Sequence, residues 1–156
     1  MISNISQNTV KPIAIACDHG GLEMKLVIKE RLVEEGYEIL DFGTNKTTSV
    51  DYPDYAYKLA RALIDEKALR GVLICGSGIG ISIAANRYPQ IRAALVHDVI
   101  GARLCREHNN ANVIVFGGRT LEIEMACDCL NIFLNTEFEG GRHEKRVAKL
   151  LKPNSI

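Results

Sequence analysis

The sequence carries no surplus charge: 19 Lys and Arg residues are matched by 19 Asp and Glu residues over a length of 156. A nucleic-acid sheath or a polybasic membrane anchor needs a broad field of one sign, so no nucleic-acid or membrane partner is expected. Long apolar runs are also missing. Even Met125–Leu134 is interrupted by Asp128 and Asn131, and no stretch reaches the length of a membrane-spanning helix. The opening Met1-Ile2-Ser3-Asn4-Ile5-Ser6-Gln7-Asn8 lacks the charged and apolar regions of a signal peptide. Five cysteines, an odd number, at positions 17, 75, 105, 127 and 129 make no small secreted disulfide framework, and the reducing cytoplasm is the expected location. Proline is scarce, 4 against 13 glycines, and a hydrophobic share of 47% excludes a disordered or collagen-like chain. Internal repeats and low-complexity tracts are absent as well. What remains is one compact domain.

Short apolar runs recur at intervals: Ile13–Ala16, Tyr37–Phe42, Val72–Cys75, Arg92–His97 and Val113–Phe116. Between them lie stretches with apolar residues at helical spacing: Leu22–Glu35, the segment after Asp51-Tyr52-Pro53, Ile81–Arg87, Asp98–Glu107 and Leu121–Asn135, with a last helix near Arg142–Leu151. Successive βα units of this kind predict an α/β fold, a three-layer α/β/α sandwich around a five-stranded parallel sheet of Rossmann-like type. Such sheets bind ligands outside the carboxyl ends of their strands. The residues to inspect are therefore Asp18-His19, Gly43, Cys75–Gly80, His97-Asp98 and Gly117-Gly118-Arg119.

The densest of these is Gly76-Ser77-Gly78-Ile79-Gly80, where glycine lets the chain turn tightly with its N–H groups exposed. A dinucleotide fingerprint fails because position 81 is Ile81 and Asp98, about 20 residues on, falls at the end of the next strand. A Walker loop lacks its Gly-Lys-Ser/Thr, and the Cys-x5-Arg cradle of tyrosine phosphatases, counted from Cys75, again meets Ile81. A thiol, a hydroxyl and backbone donors are left together. A helix N-terminus stabilises a thiolate, so Cys75 can be a general base or nucleophile, or else a small residue ending a buried strand.

Asp18 and His19 should reach the same mouth, although Asp commonly serves only as a cap. His108 ends a helix, where histidine complements the dipole. Arg142 and Arg146 stand one helical turn apart and can grip one dianion, or simply form a solvated face. Cys127 and Cys129 do not face each other on a helix, and the histidines at 19, 97, 108 and 143 show no zinc spacing, so no metal is expected.

Taken together and in order, several segments resemble the ribose-5-phosphate isomerase B family, which includes galactose-6-phosphate and allose-6-phosphate isomerases. They are Cys17-Asp18-His19-Gly20-Gly21, Asp41-Phe42-Gly43-Thr44, Asp51-Tyr52-Pro53-Asp54-Tyr55-Ala56, Cys75–Asn86, His108-Asn109-Asn110-Ala111-Asn112 and Glu139-Gly140-Gly141-Arg142-His143. The likeness runs from about Pro12 to Leu151, so residues 12–151 read as a single isomerase domain, 1–11 as a flexible leader and 152–156 as a tail. It implies an aldose–ketose isomerase needing no metal or cofactor, acting on a phosphorylated sugar through an enediolate. It also implies a homodimer with shared active sites, with pairing into a dimer of dimers left open. By the same resemblance Cys75 is the base, and Ser77 with the amides of Gly76, Gly78 and Gly80 stabilises the oxyanion. His108 is the ring-opening acid, Asp18, His19 and Asn109 contact substrate, and Arg119, Arg142 and Arg146 hold the phosphate. Ser77 stands where Thr is common, which keeps the hydroxyl. The expected reaction is ribose 5-phosphate to ribulose 5-phosphate, the alternatives being a six-carbon sugar phosphate or a non-catalytic binder of sugar phosphates.

Overall fold

Strands that are apolar at every position need cover on both faces, and this chain supplies it. The computed structural model describes residues 11–153. Five strands, β1 (Ile13–Cys17), β2 (Ile39–Asp41), β3 (Arg70–Cys75), β4 (Ala93–Leu95) and β5 (Val113–Gly117), form one parallel sheet in the order β2-β1-β3-β5-β4. Six helices, α1 (Leu22–Glu34), α2 (Tyr52–Ile64), α3 (Ile79–Ala85), α4 (Val99–Glu107), α5 (Ile123–Asn135) and α6 (Glu144–Leu151), surround it. Side chains alternate across the sheet. Ile13, Ile15, Cys17, Val72, Ile74, Ile114 and Phe116 pack under α1, α4 and α5, joined by Met24, Ile28, Ala102 and Phe133. Ala14, Ala16, Leu73, Cys75, Val113 and Val115 pack on the other face, under Leu59 and Leu63 of α2 and Ile81 and Ala85 of α3. The expected three-layer sandwich is thus observed. Among the described residues no helix is long and apolar enough to cross a membrane.

The chain leaves β1 toward one edge and β3 toward the other, so the strand order reverses between them. That reversal opens a crevice at their carboxyl ends, which is where Asp18 and Cys75 emerge.

Several boundaries differ from expectation. The strands expected over 37–42 and 92–97 shrink to three residues each, because an edge strand pairs on one side only. Helix α2, whose expected end was the glycine at Gly71, stops earlier, at Ile64, in a turn where Glu66 has φ 56. Helix α3 begins at Ile79, two residues early, because Gly78 takes φ 77 and starts the turn directly. Arg142 lies in a 3-10 turn, Gly141–His143, that precedes α6. The leader expected at 1–11 falls, except for Lys11, outside the described residues, as does the end of the tail.

Candidate active site

At the carboxyl ends of β1, β3 and β5 the three connecting loops touch through backbone. A Cβ added to Gly118 would lie 2.5 Å from the Gly20 carbonyl, and one added to Gly78 would lie 2.5 Å from Leu95 Cδ1 and 2.9 Å from the Phe116 carbonyl carbon. With φ 77 as well, Gly78 is a position only glycine fills without strain. The loops are knitted by Gly118 N donating to Cys75 O (2.8 Å) and Arg119 N to Gly76 O (2.9 Å).

On this floor opens a cleft of about 360 Å³ lined by Asp18, Tyr52, Cys75, Gly76, Ser77, Gly80, Arg119 and Thr120. Cys75 is 4% exposed, and the N–H of Gly78 donates to its Sγ at 3.2 Å. The other thiols lack such an amide: burial pushes Cys17 up to about 12 and Cys105 and Cys129 up to about 11, so they stay protonated. The Ser77 hydroxyl accepts from Ile79 N at 3.2 Å and stands beside the thiol on the same loop. The amides of Gly76, Ser77 and Gly80 have no acceptor among the described residues. A thiol and free donors converging on one cleft can take a proton from carbon and hold the resulting oxyanion.

Asp18 does both things weighed for it. Its Oδ1 accepts from Gly20 N at 2.9 Å, capping the turn, while the side chain also lines the cleft. His19 Nδ1 accepts from Val50 N at 3.2 Å, tying the 44–51 loop down and leaving Nε2 free of that bond. The loop's start is anchored by Lys25, fully buried, whose Nζ donates to Thr44 O and Asn45 Oδ1 (both 2.8 Å) and to Asp41 Oδ1 (3.2 Å). Burial alone would raise the Asp41 pKa; bonds from Gly43 N, Lys29 and Lys25 reverse that and leave it lowered. Tyr52 and Thr120 were not singled out from the sequence. Tyr52, part of the Asp51–Ala56 segment of the resemblance and the start of α2, lays its ring against Gly80.

The remaining expected residues lie elsewhere. His108 and Asn109 follow α4, and Arg142 follows α5; helices here run opposite to the strands, so these residues collect at the amino end of the sheet. His108, Asn109, His143, Arg146, Val147 and Leu150 line a second hollow of about 310 Å³ that shares no residue with the first. Five residues of β5 separate the two ends, a rise of roughly 16 Å. Within one chain, Arg119 therefore stands with Cys75, whereas Arg142 and Arg146 stand with His108.

In this second corner the His108 and His143 rings stack, 4.4 Å between centroids and 13° from parallel. Arg142 Nε donates to His143 Nε2 at 3.4 Å, and Glu139 Oε2 lies 3.5 Å from the same nitrogen. Burial first, then His108 and Arg142, hold the His143 pKa below its ordinary value, so the neutral ring that accepts from Arg142 is favoured. His108, Glu139 and His143 bring ligating atoms within 4.8 Å of one another, a grouping that sequence spacing did not announce. Stacked imidazoles hold their lone pairs in parallel planes, however, and these do not converge on one point about 2 Å from each nitrogen.

The profile of the ribose/galactose isomerase family matches residues 13–150. Ribose-5-phosphate isomerase B of Escherichia coli is 44% identical over 138 residues, 88% of this chain and 93% of that protein. A crystal structure of a ribose 5-phosphate isomerase from Thermotoga maritima is 49% identical with a TM-score of 0.88, covering 89% of this chain and 96% of the other. The Mycoplasma genitalium ribose-5-phosphate isomerase B, solved with bound ribulose-5-phosphate, is 37% identical with a TM-score of 0.86, covering 90% and 94%.

Proposed function

The chain belongs to the ribose/galactose isomerase family, and from that premise we propose that it interconverts ribose 5-phosphate and ribulose 5-phosphate as an aldose–ketose isomerase. The observation that carries this reading is the Cys75 cleft, a buried thiol receiving an N–H bond beside a hydroxyl and free amides. The Cys75 thiolate takes the proton from C2 of the open-chain aldose. The freed electron pair forms the C1–C2 double bond, and the carbonyl pair moves to O1, where Ser77 and the loop amides meet it. Return of the proton to C1, with the O2 proton passing to O1 as C2=O forms, gives the ketose. His108 opens the sugar ring by protonating its oxygen, with Asn109 steadying the intermediate. Asp18 and His19 orient the sugar, and Arg119, Arg142 and Arg146 bind the phosphate, so that its binding energy is spent on orientation.

One chain keeps Cys75 and His108 at opposite ends of its sheet, in hollows that share no residue. The reading therefore includes a homodimer in which each site joins the Cys75 cleft of one copy to the His108 corner of the other. We place the enzyme in the cytoplasm, in the pentose phosphate branch of carbohydrate metabolism.

A six-carbon substrate is the second reading, favoured by the family's own description, which names galactose beside ribose. Incubating the protein with ribose 5-phosphate, allose 6-phosphate and galactose 6-phosphate without added metal, and following ketose formation, separates the readings. Fastest turnover of ribose 5-phosphate is expected. Turnover of none would leave a sugar-phosphate binder.

A further inference from the structure

The turn that carries His108 and Asn109 continues into Asn110, Ala111 and Asn112, residues to which the proposed reaction gives no part. Asn110 has φ 48, a left-handed conformation that Asn tolerates better than most side chains. Beside it lies Arg106, at 1% exposure among the largest fully buried side chains of the protein. Its Nη1 donates to Asn110 Oδ1 (2.9 Å) and Ala111 O (2.6 Å), and its Nε donates to Thr136 O (3.1 Å). The guanidinium also lies over the Phe133 ring of α5, 5.7 Å from its centroid. Thr136 begins the segment that leads to Glu139, Arg142 and His143, and a second bond, Glu139 N to Glu107 O (3.1 Å), runs alongside.

We propose that Arg106 is the positioning residue of the His108 corner, clamping the His108–Asn109 turn to the segment that bears Arg142 and His143 so that acid and phosphate grip keep one geometry. This inference rests on the isomerase reading. Arg106 faces Arg70 and Arg92 as well as Cys105 and Glu137; burial first, then Arg70 and Arg92, push its pKa down to about 10 against the opposing pull of Cys105 and Glu137, so it is charged at neutral pH. Asn110 is shared further, since Arg92 Nε donates to Asn110 O at 2.8 Å. A lysine cannot replace this arrangement: its single ammonium has no planar fork to reach acceptors on two sides while lying over a ring. The His108 ring would then lose its fixed stack on His143, which Glu139, Arg142 and Arg146 surround.

Two variants test this, Arg106→Lys and Asn110→Gly. The second keeps a left-handed backbone and deletes only the side-chain acceptor, so it serves if the first does not fold. With four histidines in the chain, ring protons can be assigned by NMR and the His108–His143 ring-to-ring NOE measured directly. Arg106→Lys should lose that NOE, move the acidic limb of the kcat/KM pH profile, and lower kcat/KM for ribose 5-phosphate about 100-fold; Asn110→Gly should weaken the NOE and lower kcat/KM about tenfold. An unchanged NOE in the folded variants, or an unchanged pH profile with kcat/KM within twofold of the parent, would overturn the clamp. If the parent protein isomerises no sugar phosphate, the isomerase reading fails by itself, and the NOE still decides whether Arg106 sets the corner.

Discussion

At the carboxyl end of the sheet the site is made of backbone: glycines from three loops in contact, amides aimed into a cleft, and one thiol held by one of them. At the amino end it is made of side chains, two stacked imidazoles, two arginines and a carboxylate, set on a turn and a short 3-10 segment and stapled by a buried guanidinium. Each end has what the other lacks. The first offers a thiol and free amides with Arg119 as its cation, and the second offers imidazoles and cations with no thiol. The difference teaches that strand ends and helix ends offer unlike chemistry in this sheet, backbone donors around a thiol at one and ionisable side chains at the other.

The largest effect expected from separating the two ends is at the thiol. Cys75→Ala should lower kcat by about 10³-fold or more while the thermal midpoint moves by only a few degrees. A variant that fails to fold would instead make Cys75 a packing residue. Next comes complementation. Cys75→Ala and His108→Ala proteins should each be inactive alone, but dissociated and reassociated together they should regain about a quarter of the parent rate, since half the dimers are mixed and each mixed dimer has one intact site. No recovery would mean that the two ends never meet across copies. Smaller again, Arg142→Ala should raise KM for ribose 5-phosphate about tenfold with kcat changed less, and an unchanged KM would remove it from the phosphate grip.

The smallest expected effect concerns pH. His143 binds its proton less readily in the folded chain than in the unfolded one, so the unfolded state takes up more protons as pH falls through about 6.5. Its contribution to stability is therefore present above that pH and lost below it. The thermal midpoint of the parent should drop from pH 7 to pH 5 more steeply than that of His143→Gln; parallel curves would show that the His143 environment has no such linkage.

The central strands could be read from their residues because burial on both faces leaves continuous apolar runs such as Ile13–Ala16 and Val72–Cys75. The edge strands were overlong in that reading, since past their paired centres only single backbone bonds, Phe42 N to Ile15 O (2.8 Å) and Val96 N to Val115 O (3.2 Å), continue the pairing. Asp18, Cys75, Ser77 and Arg119 were legible as a group because they directly follow strands, and a parallel sheet sends all such residues to one mouth. The stack of His108 on His143 was not legible: the two rings follow different helices, and no periodicity relates positions 35 apart. For the same reason the separation of Arg119 from Arg142 and Arg146 came only with the topology.

The glycine contacts under Cys75 also bear on how such a protein can change. A floor written in backbone offers no side chain to exchange, and a methyl added at Gly78 or Gly118 collides before it can retune anything. New substrate preferences must therefore arise at the rim, at Ser77, Tyr52, Arg119 or the loop that Lys25 and His19 tether, while the glycine floor stays beyond the reach of gradual variation.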